Sequence, residues 1–422
     1  MDRKASRALR LVISSTALLF ALSGVSMTFA DTPLAIRVSG NQWVDGEGHR
    51  VELRGVNVSG LEGTSIQGWA WVDPSKTRFD PWADAHLGTF GVDDYPDWSV
   101  IKTWKSNIIR LPLNEACWLG LTTYDNDGKS RNADPGGNYR TVVEKSVAQA
   151  VAAGLIVILD LHWAAPNVVV PGKPSPVPST PIDSQNPMAN ADHSIAFWTS
   201  VARTFKSNPA VMYELFNEPY FQDSLTFLED PWDVWLNGGT VTKYVSNGAT
   251  TAYHWQTAGM QRMLDAVRLT GATNVVLIGG VLYASDLSGW LAHKPVDPIN
   301  QLAAVWHAYQ KSGVVGSPDS RIPASGNIQY TYIENIMSAN IPVIITEIGD
   351  HSAPGTVDSP FASTVLPWAD AHGISYLGWG WDPWGGVDND LIKDASGNPT
   401  DGYGRYFQQH LLCVANHGIK CP

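Results

Sequence analysis

Short apolar runs rich in Val, Ile and Leu recur along the chain, and the longer stretches between them return to an apolar residue every three or four positions. The first pattern suits a strand buried on both faces and the second an amphipathic helix, so their alternation predicts parallel strands joined by crossover helices. The runs are Val51–Val56, Asn107–Leu111, Leu155–Leu161, Val211–Phe216, Asn274–Ile278, Ala303–Trp306, Pro342–Thr346 and Ser375–Trp379. Helical periodicity is clearest at Tyr139–Ala153, His193–Lys206, Thr251–Arg268 and Ser359–His372. Eight repeats of one strand–helix unit fit a closed barrel better than an open sheet, so the expected fold is α/β, a single (β/α)8 TIM barrel over residues 31–422. Ahead of the first run, Ile36 to Val44 and Arg50 to Leu53 flank Asp45-Gly46-Glu47-Gly48, which predicts an N-terminal β-hairpin plugging the barrel bottom. No linker and no second module is expected within these residues.

Long connections fall where a barrel builds its binding surface, on the C-terminal face. Gly60 to Pro96, after the first run, carries Trp69, Trp71 and Trp82, and Phe221 to Asn247, after the fourth, carries Trp232 and Trp235. Pro166 to Pro187 holds seven prolines, which lack the amide hydrogen that a helix interior or central strand requires, so a stiff surface loop is expected there, a candidate cleft wall. Residues 1–30 read as a secretory signal peptide: Arg3, Lys4, Arg7 and Arg10 precede an uncharged stretch from Leu11 to Phe29, and Thr28-Phe29-Ala30 suits cleavage near Ala30. An uncleaved membrane anchor is the rival reading. With the signal removed, no stable membrane association is expected and the protein is secreted, extracellular or periplasmic.

Composition narrows the partners. Of 422 residues, 44% are hydrophobic and 16% charged, a balance that supports a large core and excludes a disordered chain. Lys and Arg total 28 against 40 Asp and Glu, and the resulting charge of −12 repels a phosphate backbone, so nucleic acid is not an expected partner. The 18 tryptophans exceed what one core normally consumes, and some are expected to face a ligand. Only Cys117, Cys413 and Cys421 are present, which excludes a disulfide scaffold; Cys413 and Cys421 can staple the tail, leaving Cys117 as a buried thiol.

Polar residues gather at the downstream ends of the apolar runs: Arg110, His162, Asn217 with Glu218, His307 with Tyr309, Glu347, and Trp381. Any one alone would read as a hydrogen-bonded structural residue, but their recurrence at the barrel's functional end points to a site. Glu218 and Glu347 end the fourth and seventh runs, roughly across the mouth from each other, as two-carboxylate glycoside hydrolysis requires. Glu214 competes for the acid role; it lies four residues before Glu218 and deeper in the strand, which argues against substrate contact. Asn217 and Glu218 can both reach the mouth only if the strand ends there, an ending that Pro219 would enforce.

Tyr213-Glu214-Leu215-Phe216-Asn217-Glu218-Pro219 resembles the acid/base signature of glycoside hydrolase family five, the large cellulase and mannanase family. Supporting segments follow in order: Ile108-Ile109-Arg110-Leu111-Pro112, Leu159-Asp160-Leu161-His162-Trp163, Trp306-His307-Ala308-Tyr309, Thr346-Glu347-Ile348-Gly349 and Gly380-Trp381-Asp382-Pro383. The resemblance covers essentially the whole chain after residue 30. It implies that Glu347 is the nucleophile and Glu218 the acid, then base, of a retaining double displacement, with carboxyls about 5 Å apart. It further implies that Arg110 and Tyr309 hold Glu347 ionised, that Asn217 binds the sugar 2-hydroxyl, and that His162 and His307 bind the same ring or orient the acids. Trp381 would be the platform beneath that sugar, with Trp163 and Asn57 as further substrate-binding positions; Trp379 competes with Trp381 and is read as core.

Other chemistries lack their ligand sets. Asp125-Asn126-Asp127-Gly128 and Asp388-Asn389-Asp390 read as solvated turns rather than calcium loops, because neither supplies the full ligand spacing. No His-Glu-x-x-His, dinucleotide fingerprint or phosphate-cradling loop occurs, and Cys117 is not paired with a base. No metal and no cofactor are expected. The resemblance implies a secreted endo-β-1,4-glucanase that cleaves cellulose or related β-glucans by retaining double displacement, a monomer whose partner is a polysaccharide or oligosaccharide substrate. β-Mannanase, xyloglucanase and exo-acting β-glucosidase are alternatives on the same barrel, and a non-catalytic carbohydrate-binding barrel is a more remote one.

Overall fold

Eight parallel strands close into a ring in chain order: β1 Arg54–Asn57, β2 Ile108–Asn114, β3 Ile156–Trp163, β4 Val211–Glu214, β5 Val276–Gly279, β6 Leu302–Tyr309, β7 Val343–Gly349 and β8 Ser375–Gly378. The last pairs with the first through Tyr376 and Arg54, which completes the barrel. The computed structural model describes residues 33–62, 96–124, 130–134, 137, 139–168, 177–178, 185–221, 229–246, 250–309, 327–350, 359, 361–382, 389–417 and 421. Residues Pro33–Pro422 form one compact unit. The signal-peptide reading at 1–30, Trp69, Trp71 and Trp82, most of the proline-rich loop, and Asp125–Gly128 fall outside the described residues.

The barrel interior follows strand alternation. Ile108, Ile156, Ile158, Met212, Leu277, Val305, Ile344 and Leu377 belong to one apolar cluster. Trp43, Ile36 and Leu53 join that same cluster, so the N-terminal segment does close the lower end. It does so with more strands than expected: Ile36–Ser39, Gln42–Asp45 and Arg50–Val51 form a three-stranded antiparallel sheet. Gly40, at φ 61°, breaks what reads in sequence as one continuous arm, and Val51 pairs with Trp43 in this sheet rather than belonging to the first barrel strand. Gly55 of β1 has no room for a side chain, because a Cβ there would lie 1.7 Å from the Ile108 carbonyl oxygen.

Helices occupy the predicted stretches at Tyr139–Ala152, Ser194–Phe205 and Ala362–His372. The fourth starts later than predicted, at Met260, and ends at Arg268. Residues Thr250–Gln256 instead pair antiparallel with Thr240–Ser246. Their β-branched and aromatic residues, Thr250, Thr251, Tyr253 and Trp255, favour a pleated hairpin over a helix. Trp232 and Trp235, expected near a ligand, pack inward: they contact each other edge-on, and Trp235 Nε1 donates to the Gly279 carbonyl at 3.0 Å. Cys413, within the C-terminal helix Tyr403–His417, is joined in a disulfide to Cys421 beyond it, and Cys117 is free and buried. No helix among the described residues is long and apolar enough to cross a membrane.

Candidate active site

Above the apolar layer, the same inward-facing positions turn polar. Two residues beyond Ile108 is Arg110; beyond Ile158 come Asp160 and His162; beyond Met212 is Glu214; and beyond Val305 come His307 and Tyr309. On β7 the alternation would send Glu347 outward, but the β6–β7 ladder shifts there: Trp306 pairs with Ile345 and His307 with Glu347. The bulge lets Thr346 and Glu347 both address the interior. On the other side, the β4 ladder stops at Glu214, which frees Asn217 and Glu218 to reach the mouth together.

Arg110 is fully buried and organises the floor. Its Nε donates to Glu214 Oε2 at 2.8 Å, Nη1 to Glu347 Oε1 at 2.6 Å and Asn57 Oδ1 at 3.0 Å, and Nη2 to Asn217 Oδ1 at 2.7 Å. Asp160 Oδ2 lies 2.9 Å from the same Nη2. Burial weakens the guanidinium's hold on its proton, but Asp160, Glu214 and Glu347 outweigh it and hold the proton more firmly than in water. Burial pushes Glu214 up, and Arg110 more than reverses this, so Glu214 is an ionised strut of the floor. That settles its competition with Glu218 against substrate contact: Glu214 is 0% exposed.

The two mouth carboxylates are held differently. Glu347 accepts from Arg110 on Oε1 and from the Tyr309 hydroxyl on Oε2 at 2.7 Å. A Cβ at Gly349 would lie 2.4 Å from Tyr309 Cε1, so glycine is what lets the phenol lie there. Burial and the charge of Glu347 push the Tyr309 hydroxyl well up, so it remains a donor. Glu218 Oε1 lies 2.8 Å from His307 Nδ1, and Oε2 accepts from Gln185 Nε2. Burial opposes a charge on His307, but Glu347, Glu214 and Glu218 outweigh it and push the imidazole up to about 10. Burial raises Glu218, and the His307 hydrogen bond and charge more than offset this, so in the free protein the shared proton sits toward His307. One ligand atom each from Glu218, His307 and Glu347 lie within 4.8 Å of one another. That is the short carboxylate spacing of double displacement, not the longer one that leaves room for a water.

His162 Nδ1 lies 2.7 Å from Asp160 Oδ2, and burial lowers the affinity of His162 for a second proton. Burial, against the pull of Arg110, pushes the Asp160 carboxyl well up. Asp160 and Gln185 were not anticipated from sequence. Asp160 carries a signal, since it lies two residues before His162 on the same strand face; Gln185 carries none, because it lies at the far end of a long connection.

Two substrate-binding expectations require correction. Asn57 is 0% exposed, and its amide donates to the Thr346 and Gly378 carbonyls at 2.8 and 3.2 Å while its oxygen accepts from Arg110, so it braces the floor. Trp381 is also buried, edge-on to Trp104 with ring centroids 4.7 Å apart. Trp379, the first residue beyond β8, is instead half-buried and stacked on His162 with ring centroids 5.6 Å apart. Trp163, half-buried, lies 6.4 Å from His162. Accordingly, Trp379→Ala is expected to lower kcat/KM by about tenfold with little change in melting midpoint, as loss of a stacking face should. Trp381→Ala is expected to cost about 3–5 kcal/mol of stability, measurable by denaturant unfolding. The opposite pattern would restore Trp381 as the platform.

The sequence matches the family profile described as Cellulase (glycosyl hydrolase family 5) over residues 85–385. Endoglucanase N of Pectobacterium atrosepticum is 22% identical over 378 residues, covering 88% of this chain and 63% of that protein. Endoglucanase 5 of Pectobacterium carotovorum subsp. carotovorum is 21% identical over 88% of this chain and 56% of its own length, so the chain spans less than two thirds of either relative. Among solved structures, the β-glucanase SdGluc5_26A of Saccharophagus degradans superposes with a TM-score of 0.57 at 21% identity, covering 90% of this chain and 94% of that one. A β-mannanase of Streptomyces thermolilacinus, solved with mannohexaose, gives a TM-score of 0.54 at 17% identity, covering 92% and 94%. With its closed barrel and the family profile spanning most of its length, this chain belongs to glycoside hydrolase family 5.

Proposed function

We propose that the chain is a secreted endo-β-1,4-glucanase that cleaves cellulose or a related soluble β-glucan by double displacement. The observation that carries this reading is the close approach of Glu218 and Glu347, each held by a different pair of donors. Arg110 and Tyr309 favour the anionic form of Glu347, which attacks the anomeric carbon. The proton that Glu218 delivers to the glycosidic oxygen is the one it shares with His307 across the 2.8 Å contact, and its loss leaves Glu218 anionic. Once the leaving sugar has departed, Glu218 takes a proton from water, which attacks the glycosyl-enzyme from the same face, so the configuration is retained. Arg110 occupies Asn217 Oδ1, which leaves the amide NH2 for the sugar 2-hydroxyl; Asp160 engages His162 Nδ1, which leaves Nε2 for a second hydroxyl. Trp379 supplies the flat face beneath the ring.

The relatives named endoglucanases, and the solved complex of SdGluc5_26A with cellotetraose, support a glucan substrate. The likeness to a β-mannanase solved with mannohexaose supports β-mannan as the second reading, since the two sugars differ by one axial hydroxyl. Reducing-sugar release from carboxymethylcellulose, galactomannan, xyloglucan and laminarin, measured side by side, tests the choice. The greatest rate is expected on carboxymethylcellulose; a clear preference for galactomannan would transfer the assignment to mannanase. The Cys413–Cys421 disulfide supports export to an oxidising compartment. A mature N-terminus just after Ala30, read from protein recovered outside the cytoplasm, is the expected result.

A further inference from the structure

Glu218 has a neighbour that no motif marks. Gln185 reaches it from the end of the proline-rich connection after β3, and the position of its backbone is fixed from several directions. The Gln185 carbonyl accepts from Tyr220 Oη at 3.1 Å and from Lys243 Nζ at 2.5 Å. The next residue, Asn186, is buried; it donates to the Ala164 carbonyl at 2.5 Å and accepts from the same Lys243 ammonium at 3.1 Å. Lys243 lies on the Thr240–Ser246 strand, so the hairpin inserted after β4 holds the connection that follows β3.

The result is a carboxylate gripped through both oxygens, as Glu347 is, but by different chemistry. Glu347 receives a guanidinium and a phenol; Glu218 receives an imidazole and an amide. An amide fixes the plane of a carboxyl group yet carries no charge and does not titrate, so it favours the Glu218 anion only through its hydrogen bond, less than a second cation would. A group that must give a proton in one step and take one in the next needs that kind of restraint. We propose that Gln185 is a positioning residue for proton transfer, aiming the Glu218 carboxyl at the glycosidic oxygen, and that Lys243 acts through Gln185. This rests on the acid/base reading of Glu218 given above.

The test is leaving-group dependence. Departure of dinitrophenolate needs no proton, whereas departure of phenolate does, so a defect confined to proton delivery grows with leaving-group basicity. We would measure kcat/KM of the full chain for a series of aryl β-cellobiosides, or β-mannobiosides if the substrate panel selects mannan, in the wild type, Gln185→Leu, Lys243→Met and Glu218→Ala. Gln185→Leu is expected to lose about ten- to hundredfold on the phenyl glycoside and little on the dinitrophenyl one. Lys243→Met should steepen the series in the same direction, by less. An equal loss across the series, or none, overturns the proposal, because a merely structural role would lower every substrate alike. If circular dichroism shows that Gln185→Leu does not fold, Lys243→Met decides, and a wild-type slope there overturns the proposal. A flat series for Glu218→Ala would overturn the acid/base reading itself; a steep one beside a flat Gln185→Leu would remove Gln185 alone.

Discussion

Replacing Glu347 with alanine is expected to lower kcat on cellooligosaccharides by roughly 10⁴- to 10⁶-fold, the range seen when a covalent nucleophile is removed. Neither neighbouring glutamate can take over, since Glu214 is buried in the floor and Glu218 stands on the proton-donating side. The fold should survive, because Arg110 keeps Glu214, Asn57 and Asn217 as partners after the change. Added azide can enter the space left by the side chain and attack an activated glycoside from the nucleophile's side, giving a glycosyl azide of inverted configuration. Progress curves on cellotetraose, with and without azide on the dinitrophenyl cellobioside, and an unchanged melting midpoint would check each part. Substantial hydrolysis remaining without azide would sink the nucleophile assignment.

Removing the other carboxylate should look different. Glu218→Ala is expected to cost roughly 10²- to 10⁴-fold on cellooligosaccharides, the usual contribution of a positioned acid. On an aryl glycoside with an activated leaving group, the first step no longer depends on protonation, so kcat/KM there should fall far less. The second step still lacks its base, so the glycosyl-enzyme should accumulate and produce a burst of phenolate. The alkaline limb of the pH profile, which in the wild type follows loss of the proton shared by Glu218 and His307, should disappear for the activated substrate. Stopped-flow absorbance across a pH series measures both effects. Equal losses on both substrates, with no burst, would assign Glu218 a structural role.

Much of this site could be read from sequence because barrel strands obey a simple rule. Most of the apolar runs close with a polar residue, and alternation carries Arg110, His162, His307 and Tyr309 from the apolar layer to the mouth. What strand alternation alone does not place lies where that rule bends. Glu347 faces inward only because of the bulge at Thr346, a feature of pairing between strands that no single strand encodes. Trp379 and Trp381 share the parity of Leu377, so counting does not separate them; β8 ends at Gly378, and beyond it Trp381 packs on Trp104 while Trp379 stacks on His162. Asn57 looked available because its strand ends at the site, but its amide is consumed by the Arg110, Thr346 and Gly378 contacts. The strand at Thr250–Gln256 follows its partner so closely in sequence that its threonines and aromatics merged with the helix behind it. Gln185 depends on the path of a proline-rich connection, and local sequence says nothing of where such a path returns.

The most direct measurement is covalent trapping. Incubation with a 2-deoxy-2-fluoro cellobioside bearing an activated leaving group slows both steps, the second more, and should leave the sugar attached to the protein; peptic digestion and mass spectrometry then locate it. The account predicts one fluorinated disaccharide per chain, on the peptide containing Glu347. A label on any other side chain, or inactivation with no covalent species, would contradict it.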